Sequence, residues 1–140
     1  MRFIVASFSA CVLLACTAPS ARNLPQIPEE PLNSAVEYLL SSAATDISHM
    51  QSLERPVRFR EVRSGYIMTS ATEKEYMLCG SFSAAQGTGE ARWIPFVTIK
   101  TSGYEQYLGA QAVGFCTRPA VRWDKGDLSS ALQSRFESTR

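Results

Sequence analysis

The stretch Glu75-Tyr76-Met77-Leu78-Cys79-Gly80-Ser81-Phe82-Ser83 decides the fold. Alternate residues of a strand face opposite sides, so Tyr76, Leu78 and Phe82 share one face while Met77 and Cys79 share the other. A strand apolar on both faces is covered on both, which makes this segment the centre of a sheet. Upstream, Thr72-Glu73-Lys74 has turn chemistry, Gly65–Thr69 continues as strand, and Val57-Arg58-Phe59-Arg60 alternates with period two beyond a bend. Downstream, Gln86-Gly87-Thr88-Gly89 forms a loop, and residues 91–100 carry Trp93, Ile94, Phe96, Val97 and Ile99 as a further strand. Pro95 lacks a backbone N–H and must sit at an edge or a bulge of that strand. Residues 110–117 are expected to form another strand.

Helical spacing flanks this run of strands. Val36, Leu39, Leu40, Ala43, Ile47 and Met50 form one apolar stripe, with Asn33 as its expected N-cap and Glu37, Ser41, Ser42 and Asp46 opposite. Arg55-Pro56 stops any helix, because the residue before proline is pushed to extended geometry. Near the C-terminal end, Asp127 is placed to cap a short helix in which Leu128, Leu132 and Phe136 share a face. The order helix, four to five strands, helix predicts an α+β domain: an antiparallel sheet with an amphipathic helix on one face. A small half-open barrel wrapped on the helix is the alternative.

Composition narrows the class. Of 140 residues, 45% are hydrophobic and 19% charged, as in ordinary globular chains and unlike disordered, collagenous or coiled-coil ones. Fourteen Lys and Arg against thirteen Asp and Glu give a net charge of +1, with no excess to hold nucleic acid.

The N-terminal residues have the pattern of an address. Arg2 precedes an apolar run from Phe3 to Ala15 broken only by Ser7 and Ser9. Such a run makes about 20 Å of helix at 1.5 Å per residue, short of the roughly 30 Å bilayer core. It therefore predicts an export signal over residues 1–15 rather than a membrane span. Its end, Leu13-Leu14-Ala15-Cys16, resembles the lipobox of bacterial lipoproteins. The resemblance implies cleavage before Cys16 and a diacylglycerol thioether on its sulfur, hence a membrane partner through lipid. Thr17, rather than Asp, follows the cysteine, and by the same resemblance this favours the outer membrane of a Gram-negative cell. Residues 16–32 then form a tether carrying Pro19, Pro25, Pro28 and Pro31, extended at about 3.1 Å per residue, with the domain over 33–140. Loss of Arg2 with the signal leaves thirteen cations against thirteen anions.

Four cysteines occur. Cys11 leaves with the signal and Cys16 goes to lipid, so Cys79 and Cys116 remain, and in an oxidising compartment they are expected to pair. Closing a loop of that length contributes about 4 kcal/mol by chain entropy.

Other residues offer candidate sites. His49 is the single histidine and would have to serve any Ser-His or Cys-His arrangement, but a surface position at a helix end accounts for it. One histidine and two paired cysteines leave no repeated metal-ligand spacing, and no cofactor motif occurs. Gln86-Gly87-Thr88-Gly89 lacks the Gly-Lys-Ser/Thr ending of a phosphate loop. Arg55, Arg58, Arg60 and Arg63 form a basic stretch in which Arg58 and Arg60 point away from Val57 and Phe59. They are either the charged face of an edge strand or a site for headgroup phosphates or cell-wall carboxylates. Trp93, Phe96, Tyr104, Tyr107 and Trp123 supply core bulk or line a groove. Tyr104 and Tyr107 are expected in a loop, where exposed rings suit a partner.

The pieces Cys79-Gly80, Gly87, Gly89 and Pro95-Phe96 also resemble small proteobacterial envelope domains that carry no assigned activity. In those domains a helix precedes a strand with Cys-Gly, then polar residues, glycines and a Pro-Phe-like strand. Two asparagines follow Cys-Gly in that pattern, where Ser83 and Gln86 stand here. The expected function is a non-enzymatic envelope lipoprotein presenting a disulfide-locked domain to a protein or to peptidoglycan. The alternatives are an accessory or inhibitor subunit of a secretion or conjugation apparatus, contacting through the Tyr104–Tyr107 segment and nearby arginines, and a hydrolase.

Overall fold

A computed structural model describes residues 32–50, 53–85 and 91–139. The signal, Cys16, nearly all of the tether and the Gln86–Gly89 loop lie outside the described residues. The elements in chain order are α1 (Leu32–Ser48), β1 (Glu54–Met68), β2 (Lys74–Ala85), β3 (Arg92–Lys100), β4 (Tyr104–Leu108), α2 (Ala110–Cys116), β5 (Arg122–Trp123) and α3 (Ser129–Ser138). The sheet is antiparallel with strand order β4-β3-β2-β1-β5, so β2 is its centre, as its two-sided apolar pattern requires. The architecture is α+β.

One face of the sheet, the helix face, is covered by α1 and α3. Leu39, Leu40, Ala43 and Ile47 of α1 and Leu132 and Phe136 of α3 are buried against Val57, Phe59, Leu78, Phe82 and Phe96. Phe59 sits among three rings, 5.5 Å from Phe136 and 6.4–6.5 Å from Phe96 and Phe82. Such tilted and edge-on contacts add to plain area burial. The two helices are tied by Arg135, which donates to Ser41 Oγ at 2.8 Å and pairs with Glu37.

The other face carries Met77, Cys79, Val97 and Ile99, and we call it the cystine face. Here the structure corrects the expected strand over 110–117, which is the helix α2. Ala112 is buried, and Phe115 and Cys116 pack on the same cluster, a spacing of three and four residues that suits a helix. Gly109 turns the chain into α2 with φ 61°. Cys116 therefore comes from a helix, and its bond to Cys79 in the central strand closes a 37-residue separation with a Cα–Cα distance of 6.0 Å. That distance lies in the ordinary range for a disulfide.

Smaller features follow from local chemistry. Helix α1 begins at Leu32, so Asn33 lies in its first turn instead of capping it, an offset usual for helix ends read by pattern. Asp127 Oδ1 accepts from Ser129 N at 2.7 Å and holds the start of α3. Pro95 pairs with Ser81 of β2, while its carbonyl accepts from Gly109 N just past the end of β4. Its missing N–H faces the flank where β4 has stopped. Strand β1 changes register between Arg60 and Arg63, and Glu61 takes φ 54° there. That bulge is the bend seen in the sequence pattern. Gly65 and Gly80 allow close approach: a Cβ on Gly65 would lie 2.8 Å from the Trp123 ring, and one on Gly80 2.7 Å from Val62 Cγ2.

Candidate functional site: the uncovered half of the cystine face

Helix α2 is short and covers only the β4-side part of the cystine face. Among the described residues, α2 packs on β3 and β4, while Arg58 and Arg60 in the first half of β1 stay exposed. Strand register builds it in rungs: Arg58 pairs with Ser83, which pairs with Trp93; Arg60 pairs with Ser81, which pairs with Pro95; Arg63 pairs with Cys79, which pairs with Val97. Residues two apart on β1 lie about 7 Å apart along the strand. The bulge at Glu61 matters here, because without an extra residue Arg63 would turn to the helix face in place of Val62.

The guanidiniums are positioned by aromatic rings. Arg60 lies over Trp93, 4.1 Å from the ring centroid, and Arg63 over Trp123 at 4.3 Å. Stacking holds a guanidinium flat while its N–H donors stay free at the edges, the geometry that binds a carboxylate or phosphate in bidentate fashion. Among the described residues no carboxylate pairs with Arg58, Arg60 or Arg63.

Arg63 also lines an open trough of about 530 Å³, within the roughly 300–1,000 Å³ range of small-ligand clefts. Its floor includes Cys79, Cys116 and Ser81, one wall is Val113 and Thr117 of α2, and Glu61, Arg63 and Asp127 bring charge to it. Val113 is 44% exposed. Asp127 titrates below the usual carboxylate range because the Ser129 hydroxyl and backbone N–H hydrogen-bond to it.

The sequence candidates divide. Cys79 and Cys116 are joined, and Arg58 and Arg60 share the open face as their spacing predicts. Tyr104 and Tyr107 are corrected from a loop to the edge strand β4, where they point to opposite faces. Tyr104 donates to Asp46 Oδ1 of α1 at 2.7 Å and meets Tyr38 edge-on at 6.2 Å; Tyr107 stacks on Phe115 of α2 at 5.0 Å and donates to Glu105. Both phenols are held above their ordinary pKa, first because they donate to a carboxylate. The two rings thus do not form one patch. His49 is exposed in the turn after α1. Among the described residues no group of three or more His, Cys, Asp or Glu is placed to hold a metal, and no helix is long and apolar enough to cross a membrane. Sequence reasoning missed the pairing of Arg60 with Trp93, the role of Trp123, and the approach of Asp127 to the bulge. Comparison with protein-family models, curated proteins and solved structures returns no match.

Proposed function

We propose that this protein is a lipid-anchored, non-enzymatic binding domain of the bacterial envelope, docking its ligand on the open half of the cystine face. The observation that carries the reading is the row Arg58, Arg60 and Arg63, unpaired with carboxylates among the described residues and in part flattened on indoles, beside an open trough. Desolvating stacked guanidiniums against an anion gives charge-assisted hydrogen bonds stronger than neutral ones. The lipobox resemblance at Leu13–Cys16 supports anchoring, with Thr17 favouring the outer membrane and the proline-rich tether spacing the domain from lipid. Peptidoglycan, an extended polymer rich in carboxylates, is the ligand that suits this setting.

The test is capture of purified sacculi by the lipidated full chain. Arg58→Glu with Arg60→Glu should reduce capture at least tenfold with melting little changed, since both side chains are exposed. Undiminished capture would retire the docking face. Intact-mass analysis should show a mature chain starting at a diacylated Cys16; a full-length unmodified chain removes the anchor.

A further inference from the structure

We infer that the trough takes a short zwitterionic peptide, one that offers both a free carboxylate and a free amine, and this rests on the docking reading above. The trough is not uniformly basic. Arg63 lines it, and Arg60 is the register partner of the lining Ser81, but Glu61 and Asp127 line it as well. Each acid comes from a different device: Glu61 from the left-handed bulge of β1, Asp127 from the turn into α3. The bulge and the Val62 contacts bring the two devices together, since Leu128 N donates to the Val62 carbonyl at 2.7 Å and Val62 N donates to Ser129 Oγ at 3.1 Å.

Two carboxylates in the same trough oppose a phosphate dianion and favour an ammonium. The Arg63 guanidinium, stacked on Trp123, favours a carboxylate, and Arg60 adds positive charge from the neighbouring rung. Pro95 and Val113 also line the trough and provide apolar surface for the ligand's carbon chain. A ligand of only one sign would leave one set of charges desolvated without a partner, which is costly. A peptide ending in a diamino acid, as in the peptide stems of cell walls, satisfies both sets. Lipid headgroup phosphate satisfies only the arginines.

The experiment is calorimetric titration of the lipidated full chain, in detergent micelles at low salt, with alanyl-γ-glutamyl-diaminopimelate. Two derivatives serve as controls, one with its amines acetylated and one with its carboxylates amidated. Saturable binding is expected, at least tenfold weaker for each derivative, which corresponds to about 1.4 kcal/mol. Glu61→Gln with Asp127→Asn should abolish the preference for the free amine but keep the preference for the carboxylate. An Asn side-chain oxygen at 127 can still accept from Ser129 N, so α3 should persist in that variant. Arg60→Gln with Arg63→Gln should show the reverse. Equal binding of the acetylated peptide, or displacement of the peptide by anionic phosphatidylglycerol vesicles, overturns the inference. Capture of sacculi without any response to the tripeptide also overturns it while leaving the docking face intact; loss of both removes the docking face too.

Discussion

Gly80 lies on the central strand where Val62 and Phe96 close over it, and a methyl group there would sit 2.7 Å from one and 2.9 Å from the other. Gly80→Ala should therefore destabilise the domain by about 1–3 kcal/mol, the usual cost of overpacking, measured by urea unfolding. Glu61 shows the opposite situation, a side chain where glycine would be at ease. Its φ of 54° is tolerated by glycine and costly for a β-branched residue. Glu61→Val should lose about 1–2 kcal/mol, whereas Glu61→Gly should unfold near the parent's midpoint. Asp127 carries a pH signature. Its folded pKa is lowered by the Ser129 hydrogen bonds, so its contribution is present above the unfolded carboxylate value of about 3.9 and is lost as pH falls through the folded value. The stability difference between the parent and Asp127→Ala should accordingly be constant at neutral pH and vanish in acid. At Tyr104 the sign reverses: the raised pKa means its bond to Asp46 is kept below about pH 10 and lost as pH rises through the folded value. Asp46→Asn should bring part of the tyrosine absorbance titration to lower pH.

Helix α2 was the element that pattern reading mistook. Residues 110–117 contain Val113, Phe115 and Cys116 close together, which reads as a buried strand, and Gly114 disfavours a helix. The helical signal was present in Ala112, Phe115 and Cys116, but a single short element gives periodicity too few turns to be separated from alternation. Tertiary packing on Met77 and Val97, together with the cystine, decides the matter. The disulfide pins this helix to the sheet, so Cys79→Ala with Cys116→Ala should cost about 4 kcal/mol overall. Amide exchange should accelerate most in α2, with the α1–α3 layer changing least, because the helix-face core does not depend on the bond. By contrast the central place of β2 and the apolar stripe of α1 were legible, because a two-sided apolar strand and a four-turn apolar stripe each have only one economical placement; the start of α1 at Leu32 and the burial of Ser42 were not.

At the scale of the whole molecule, the α+β class and the pairing of Cys79 with Cys116 were readable, because strand order and thiol count leave few choices. The candidate site was readable only in part. The alternation at Val57–Arg60 put Arg58 and Arg60 on one side, but joining them to Trp93 needed the β1–β2–β3 register. Joining Glu61 to Asp127 needed contacts between segments over sixty residues apart, which no local pattern encodes. Tyr104 and Tyr107 looked alike in sequence and differ in the fold, since residues an odd number apart on a strand face opposite sides.

The outer flank of β1 is met by α3 and the turn that leads into it. Gln133 Nε2 donates to the Val57 carbonyl at 3.2 Å, and the Leu128–Ser129 turn occupies both the carbonyl and the N–H of Val62. These groups are the rail on which a neighbouring molecule would have to lay a new strand to build a fibre. With these groups engaged, strand addition among the described residues is left to the short edge strands β4 and β5, and Gln133→Ala, which frees the Val57 carbonyl, should lower the concentration at which solutions turn turbid.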